Sequence, residues 1–192
     1  MEIDKVCIYC GSSFGNDSLW KESAAELGRL IASEGWNLVY GGGSRGLMGT
    51  VALSAKEGGS HITGYTTKRF HKDSDDEWPA DDFEVFDTMH ERKMRMFLES
   101  DAFIALPGGM GTMEELSELI TWKQIKYTNK PFVLFNLGGY WDHFIAQMHV
   151  MLDNGFTKAE QMEKIKVCST AEETVAYLKA YVFCDAAYEI RK

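Results

Sequence analysis

Residues Ser100–Glu115 read SDAFIALPGGMGTMEE, and the fold turns on how that stretch divides. Ala102–Leu106 is an unbroken apolar run of a length that suits a fully buried strand, and Pro107 with Gly108, Gly109 and Gly111 ends it. A helix is expected to restart at once. Thr112 followed three residues later by Glu115 has capping-box spacing, with Leu116, Leu119 and Ile120 behind it on an apolar helical face. The unit is strand, glycine turn, helix. Glycines let a backbone approach a ligand closely, and a helix N-terminus presents unpaired amides with partial positive charge, so a phosphate fits there. The competing reading is a tight turn without a ligand.

Just upstream, Thr88–Phe97 reads TMHERKMRMF. Thr88 and Glu91 again have capping-box spacing, which places Arg92 and Lys93 near the start of a helix that leads into the buried strand. Met94, Met96 and Phe97 read as core packing.

The same alternation runs through the chain. Strands are expected at Lys5–Cys10, Trp36–Tyr40, Ile62–Thr66, Phe83–Phe86, Phe132–Asn136 and Ile165–Cys168, with helices between them and a last helix over Ala171–Phe183. The first helix has Asp17 or Ser18 as its cap, and the helix after the glycine turn spans Met113 to about Lys126. This pattern predicts one α/β domain over residues 1–192 with a doubly wound, mainly parallel sheet in a Rossmann-like three-layer arrangement. Ligands of such sheets sit beyond the carboxyl ends of the strands. Both glycine turns and the Met89 helix start fall there.

The second turn, GGGSRG at residues 41–46, has the spacing G-x-G-x-x-G of a dinucleotide fingerprint. The acidic residue that such a site expects after the next strand is missing, since Thr67, Lys68 and Arg69 stand there. The turn, with Gly42 and Gly43, therefore reads either as a second wall of the first site or as a bend needed for close helix packing. Neither turn continues as G-K-[ST], so a P-loop is not expected.

The formal net charge is −9, from 20 Lys and Arg against 29 Asp and Glu, which argues against nucleic acid as a partner and confines any anion site to a local cluster such as Arg92 and Lys93. No apolar run approaches the ~20 residues that span a bilayer. Cys7 and Cys10 form a C-x-x-C, but three positions apart on a strand they point to opposite faces. No metal site is expected from them, and free thiols fit a reducing, cytoplasmic setting. Lys68–Asp82 reads as a polar surface loop, and Asp73, Asp75, Asp76 and Glu77 within it lack EF-hand spacing.

Three motifs carry a resemblance. MHERK at Met89–Lys93, PGGMGTMEE at Pro107–Glu115 and TWKQ at Thr121–Gln124 resemble the LOG family of nucleoside 5′-monophosphate phosphoribohydrolases, often mislabelled lysine decarboxylases. The likeness runs from about Val6 to about Gly139. It implies Arg92 and Glu115 as catalytic residues, and Gly108, Gly109, Gly111 and Thr112 as phosphate ligands with Met89, Lys93, Gly42 and Gly43 beside them. It also implies a homodimer, no metal or organic cofactor, and hydrolysis of a nucleoside 5′-monophosphate to free base and ribose 5-phosphate. The base implied is adenine or an N6-prenylated adenine of cytokinin type. Met110 departs from the commoner PGGYGT form.

The residues alone agree with that chemistry. With a phosphate on the turn, Glu115 lies one helical turn on, about 5 Å along the axis, where a ribose carbon would stand. A carboxylate there can stabilise an oxocarbenium-like state, and an arginine can hold phosphate or ribose oxygens. The bland reading of Glu115 is a cap for Thr112. Lysine decarboxylation would need a Schiff-base lysine, which no motif marks. The stronger alternative is a nucleotide or molybdenum-cofactor carrier, which needs the phosphate cradle but not a carboxylate at the glycosidic carbon.

Overall fold

The computed structural model describes residues 2–71 and 79–182. Seven strands form one sheet in the order β4-β3-β2-β1-β5-β6-β7, and every pair is parallel. They are β1 (Lys5–Tyr9), β2 (Asn37–Tyr40), β3 (Ile62–Thr67), β4 (Asp82–Phe86), β5 (Ala102–Ala105), β6 (Phe132–Phe135) and β7 (Lys166–Cys168). The central strands β1, β2, β5 and β6 are short and largely apolar because both faces are covered, whereas the edge strands β4 (DFEVF) and β7 (KVC) carry charged residues and are partly exposed. The chain builds outward from β1 to β4, then crosses back so that β5 pairs on the other side of β1. That reversal is the switch point where an open α/β sheet leaves a crevice. The register, Ile8 beside both Tyr40 and Ile104, brings the turns after β1, β2 and β5 to one edge.

Helices α1 (Ser18–Ser33), α2 (Gly46–Glu57) and α8 (Ala171–Ala180) pack on one face, with Leu27, Ile31, Val51, Ala55 and Leu178 against Ile8, Leu38 and Ile104. On the other face α4 (Met89–Leu98), α5 (Met110–Gln124) and α6 (Asp142–Asp153) bury Met96, Phe97, Leu116, Leu119, Ile120 and Met148 against Cys7, Val39 and Phe103. The three-layer α/β architecture is thus present. Cys7 and Cys10 fall in opposite layers, as strand alternation requires.

Several boundaries move. Helix α5 begins at Met110 rather than Met113, because Gly109 takes the extended N-cap conformation (φ −88°, ψ −157°) and its carbonyl accepts from the Met113 amide at 3.0 Å. Thr112 is therefore a buried residue inside the first turn, not a cap, and the Thr112–Glu115 capping box does not form. The expected loop at Lys68–Asp82 starts as a short helix, α3 (Lys68–His71), and Asp82 already belongs to β4. Its acidic run Asp73–Glu77, like Cys184, lies outside the described residues. A further short helix, α7 (Ala159–Met162), was not expected, and α8 stops at Ala180. Asp17 is the cap of α1, accepting from the Leu19 amide at 2.9 Å.

Candidate active site

The start of α4 sets the site. Thr88 and Glu91 form a reciprocal capping box, with Thr88 Oγ1 accepting from the Glu91 amide at 3.2 Å and Glu91 Oε2 accepting from the Thr88 amide at 3.1 Å. One residue further on, the Arg92 side chain turns into the molecule and is 7% exposed. Its Nε donates to the Tyr65 carbonyl at 2.8 Å, Nη2 to the Gly41 carbonyl at 3.3 Å and Nη1 to Glu115 Oε1 at 3.3 Å. The guanidinium is thus fixed by β3, by the turn after β2 and by α5, a planar fork that lysine cannot imitate.

Glu115, freed from any capping role, faces this arginine with a side chain 12% exposed. Burial pushes its carboxyl pKa up from the ordinary value, and the Arg92 charge opposes that shift without cancelling it. Lys93 leaves α4 in another direction, to Glu114 at 2.5 Å and Glu118 at 3.0 Å. Burial lowers its pKa, but the two carboxylates outweigh burial and the net shift is upward. Lys93 therefore ties α4 to α5 as a charged lysine.

A cavity of about 220 Å³ opens at the carboxyl ends of the strands. Of the expected site residues it brings together Arg92, Glu115, Met89, Gly109, Gly111 and Thr112. Gly108 lines an adjoining cavity of about 290 Å³ that shares Gly11, Ser12 and Gly109 with the first. Gly42, Gly43 and Lys93 are not on the lining of either. Gly41, Gly11, Ser12, Cys10, Met48 and Phe70 are on the first lining although sequence reasoning did not select them. The small-residue turn after β1, next to the switch point, was the available signal for Gly11 and Ser12. A larger cavity of about 460 Å³ lies at the opposite end of the sheet beside Trp36, away from these groups.

The two glycine turns differ in what meets their helices. At α2 the Leu47 amide donates to the Gly11 carbonyl at 3.2 Å, and the Met48 amide reaches the same oxygen at 3.4 Å. At α5 the amides of Met110, Gly111 and Thr112 precede the first intrahelical bond, and Gly109 has no side chain to cap them. A Cβ at Gly109 or Gly111 would have no described atom within 4 Å. Open amides at the positive end of a 15-residue helix, beside a buried Arg–Glu pair, suit an anionic ligand.

Fold and crevice together define a Rossmann-type α/β protein with its candidate site at the switch point. A family model described as "Possible lysine decarboxylase" matches residues 48–178. The chain is 40% identical over 177 residues to a probable cytokinin riboside 5′-monophosphate phosphoribohydrolase, LOGL1, of Oryza sativa subsp. japonica, covering 92% of this chain and 79% of that protein. It is 39% identical to the cytokinin riboside 5′-monophosphate phosphoribohydrolase LOG3 of Arabidopsis thaliana, covering 94% and 84%. The chain belongs to the LOG family. Among solved structures, a molybdenum cofactor binding protein from Rippkaea orientalis superposes with a TM-score of 0.70 at 23% identity, covering 94% of this chain and 98% of that one. The Chlamydomonas reinhardtii molybdenum cofactor carrier protein gives 0.69, also at 23% identity, covering 93% and 97%. At that identity the likeness is one of fold.

Proposed function

We propose that this chain, working as a single α/β domain, is a nucleoside 5′-monophosphate phosphoribohydrolase that releases adenine or an N6-modified adenine and leaves ribose 5-phosphate. The observation that carries the reading is the buried Arg92–Glu115 pair in the same cavity wall as the open amides of α5. The relatives' names supply the reaction. The 5′-phosphate sits on Gly109, Gly111 and Thr112, with Gly108 shaping the turn and Met89 on the facing wall. Glu115 stands at the anomeric carbon. As the base departs, positive charge grows on the ribose ring and the carboxylate stabilises it, while the same group orients the attacking water. Arg92 holds Glu115 and the ribose oxygens in place, and Lys93 braces the helices that carry them.

The family model's description points elsewhere, to decarboxylation. Among the described residues that line the cavity there is no lysine to form a Schiff base; Lys93 is held by Glu114 and Glu118, and Lys123 donates to the Lys130 carbonyl at 2.6 Å. A carrier would have no use for a buried carboxylate opposite the arginine.

A cytoplasmic setting accords with the free thiols of Cys7, Cys10 and Cys168. Among the described residues no helix is long and apolar enough to cross a membrane. A homodimer is supported by Ile125, Val150, Met151 and Phe156, exposed apolar side chains where α5 and α6 end close together, linked by the Gln124–Thr157 hydrogen bond. A doubled mass in sedimentation is the expected result, and a monomer at micromolar concentration would contradict it. Trp122, half-buried on α5, packs edge-on to Phe97 at 4.7 Å.

The test is release of free base and ribose 5-phosphate from AMP and from its N6-isopentenyl analogue. Glu115→Gln keeps an acceptor for Arg92 but removes the charge, so kcat is expected to fall roughly 100-fold or more with little change in melting temperature. Binding of AMP without release of base from any nucleotide would replace the hydrolase by a carrier.

A further inference from the structure

Two carbonyls of the turn between β5 and α5 are held by neighbouring loops. The Gly11 amide donates to the Pro107 carbonyl at 3.0 Å, and the Tyr140 hydroxyl donates to the Gly108 carbonyl at 2.6 Å. A carbonyl facing a bound anion opposes it, because the oxygen is the negative end of the peptide dipole. Engaged by protein donors, these oxygens stay off the anion position, and the leading amides of α5 are left to meet it.

Tyr140 is placed for this by the chain around it. Gly138 and Gly139 have φ of 55° and 76°, a left-handed pair that turns the backbone after β6. Asn136 Oδ1 then accepts from the Trp141 amide at 2.7 Å, which fixes the next residue. The Tyr140 ring stands edge-on to Trp20 at 5.6 Å and to Trp141 at 4.9 Å. With 43% of the residue exposed, water competes for the hydroxyl, so its bond to Gly108 is not forced by burial. Gly108 is also fixed from within, since a Cβ there would stand 2.2 Å from Thr112 Oγ1 and 2.8 Å from the Gly11 nitrogen.

We propose that Tyr140 is a positioning residue for the anion site, its hydroxyl locking the Gly108 carbonyl so that the turn presents amides to the 5′-phosphate. This rests on the phosphate assignment made for the hydrolase. Tyr140→Phe keeps the ring contacts and removes only the donor. The Kd for ribose 5-phosphate, read by calorimetry, is expected to rise roughly five- to tenfold, the worth of one hydrogen bond. KM for AMP should rise by the same factor, with kcat within about twofold and the melting temperature lowered by no more than about 5 °C, the loss of one hydrogen bond from the fold.

An unchanged Kd and KM, with or without a lower melting temperature, would make Tyr140 a packing residue and overturn the proposal. So would failure of the wild type to bind ribose 5-phosphate. Wild type that binds this sugar phosphate but releases no base defeats the hydrolase reading alone, and the binding arm still decides the role of Tyr140.

Discussion

The turns GGGSRG and PGGMGT look alike as sequence, each a glycine cluster between a parallel strand and a helix, yet their glycines are there for different reasons. In the first turn Gly42 and Gly46 adopt left-handed φ of 73° and 63°, and a Cβ at Gly46 would lie 2.3 Å from the Ser12 backbone. Its helix amides are already met by the Gly11 carbonyl. In the second turn neither backbone conformation nor packing asks for glycine at 109 or 111, and the helix amides are open. A glycine fingerprint is thus decided by what occupies the helix N-terminus. The first turn packs α2 against the loop after β1 and offers the Gly41 carbonyl to Arg92, while the second leaves the leading amides of α5 open.

That contrast can be broken by substitution. The largest effect is expected at Gly46→Ala, where ~1–2 kcal/mol of left-handed strain adds to overpacking against Ser12, about 3 kcal/mol in all. For a domain of this size the melting temperature would drop by roughly 6–12 °C, and a loss of under 2 °C would show that the first turn is not built for packing. Gly111→Ala should do the reverse. Alanine is the better helix former by up to ~1 kcal/mol, so stability should hold or rise while KM for AMP increases about tenfold as the methyl meets the phosphate. A variant with lowered stability and unchanged KM would make the two turns equivalent.

The smallest effect is in pH dependence. Burial holds the Glu115 pKa above its ordinary 4.5, so a step needing the carboxylate loses rate on an acid limb above that value. Stability runs the other way. The folded state keeps the proton to higher pH than the unfolded chain, so the contribution of this group to unfolding free energy falls as pH rises through the same interval. An acid limb at or below 4.5 would remove Glu115 from the rate-determining ionisation.

How much of this was legible in the sequence follows the same division. Apolar runs marked the central strands β1, β2, β5 and β6 to within a residue or two, because a strand covered on both faces is apolar along most of its length, while the edge strands β4 and β7 were placed by their position in the alternation of strands and helices. The Thr88–Glu91 cap and the placement of Arg92 were readable from local spacing. The Thr112–Glu115 pair was misread by the same rule, since Gly109 can cap through its backbone geometry alone and so starts the helix one turn earlier. Tyr140 and Phe70 were out of reach, because they arrive at the site through chain crossings that no local pattern encodes. Lys93 was placed at the site by its neighbour in sequence, whereas adjacent helical positions diverge by about 100° and send it to Glu114 and Glu118.

The central claim, that the open N-terminus of α5 holds a 5′-phosphate, is tested most directly by titrating ribose 5-phosphate and ribose, neither of which the enzyme consumes, into the wild-type protein in a calorimeter. Ribose 5-phosphate is expected to bind at least about 100-fold more tightly, a difference of ~2.7 kcal/mol carried by the phosphate. Equal affinity for the two would mean that the phosphate makes no contact with the turn, and the account of the site would fall with it.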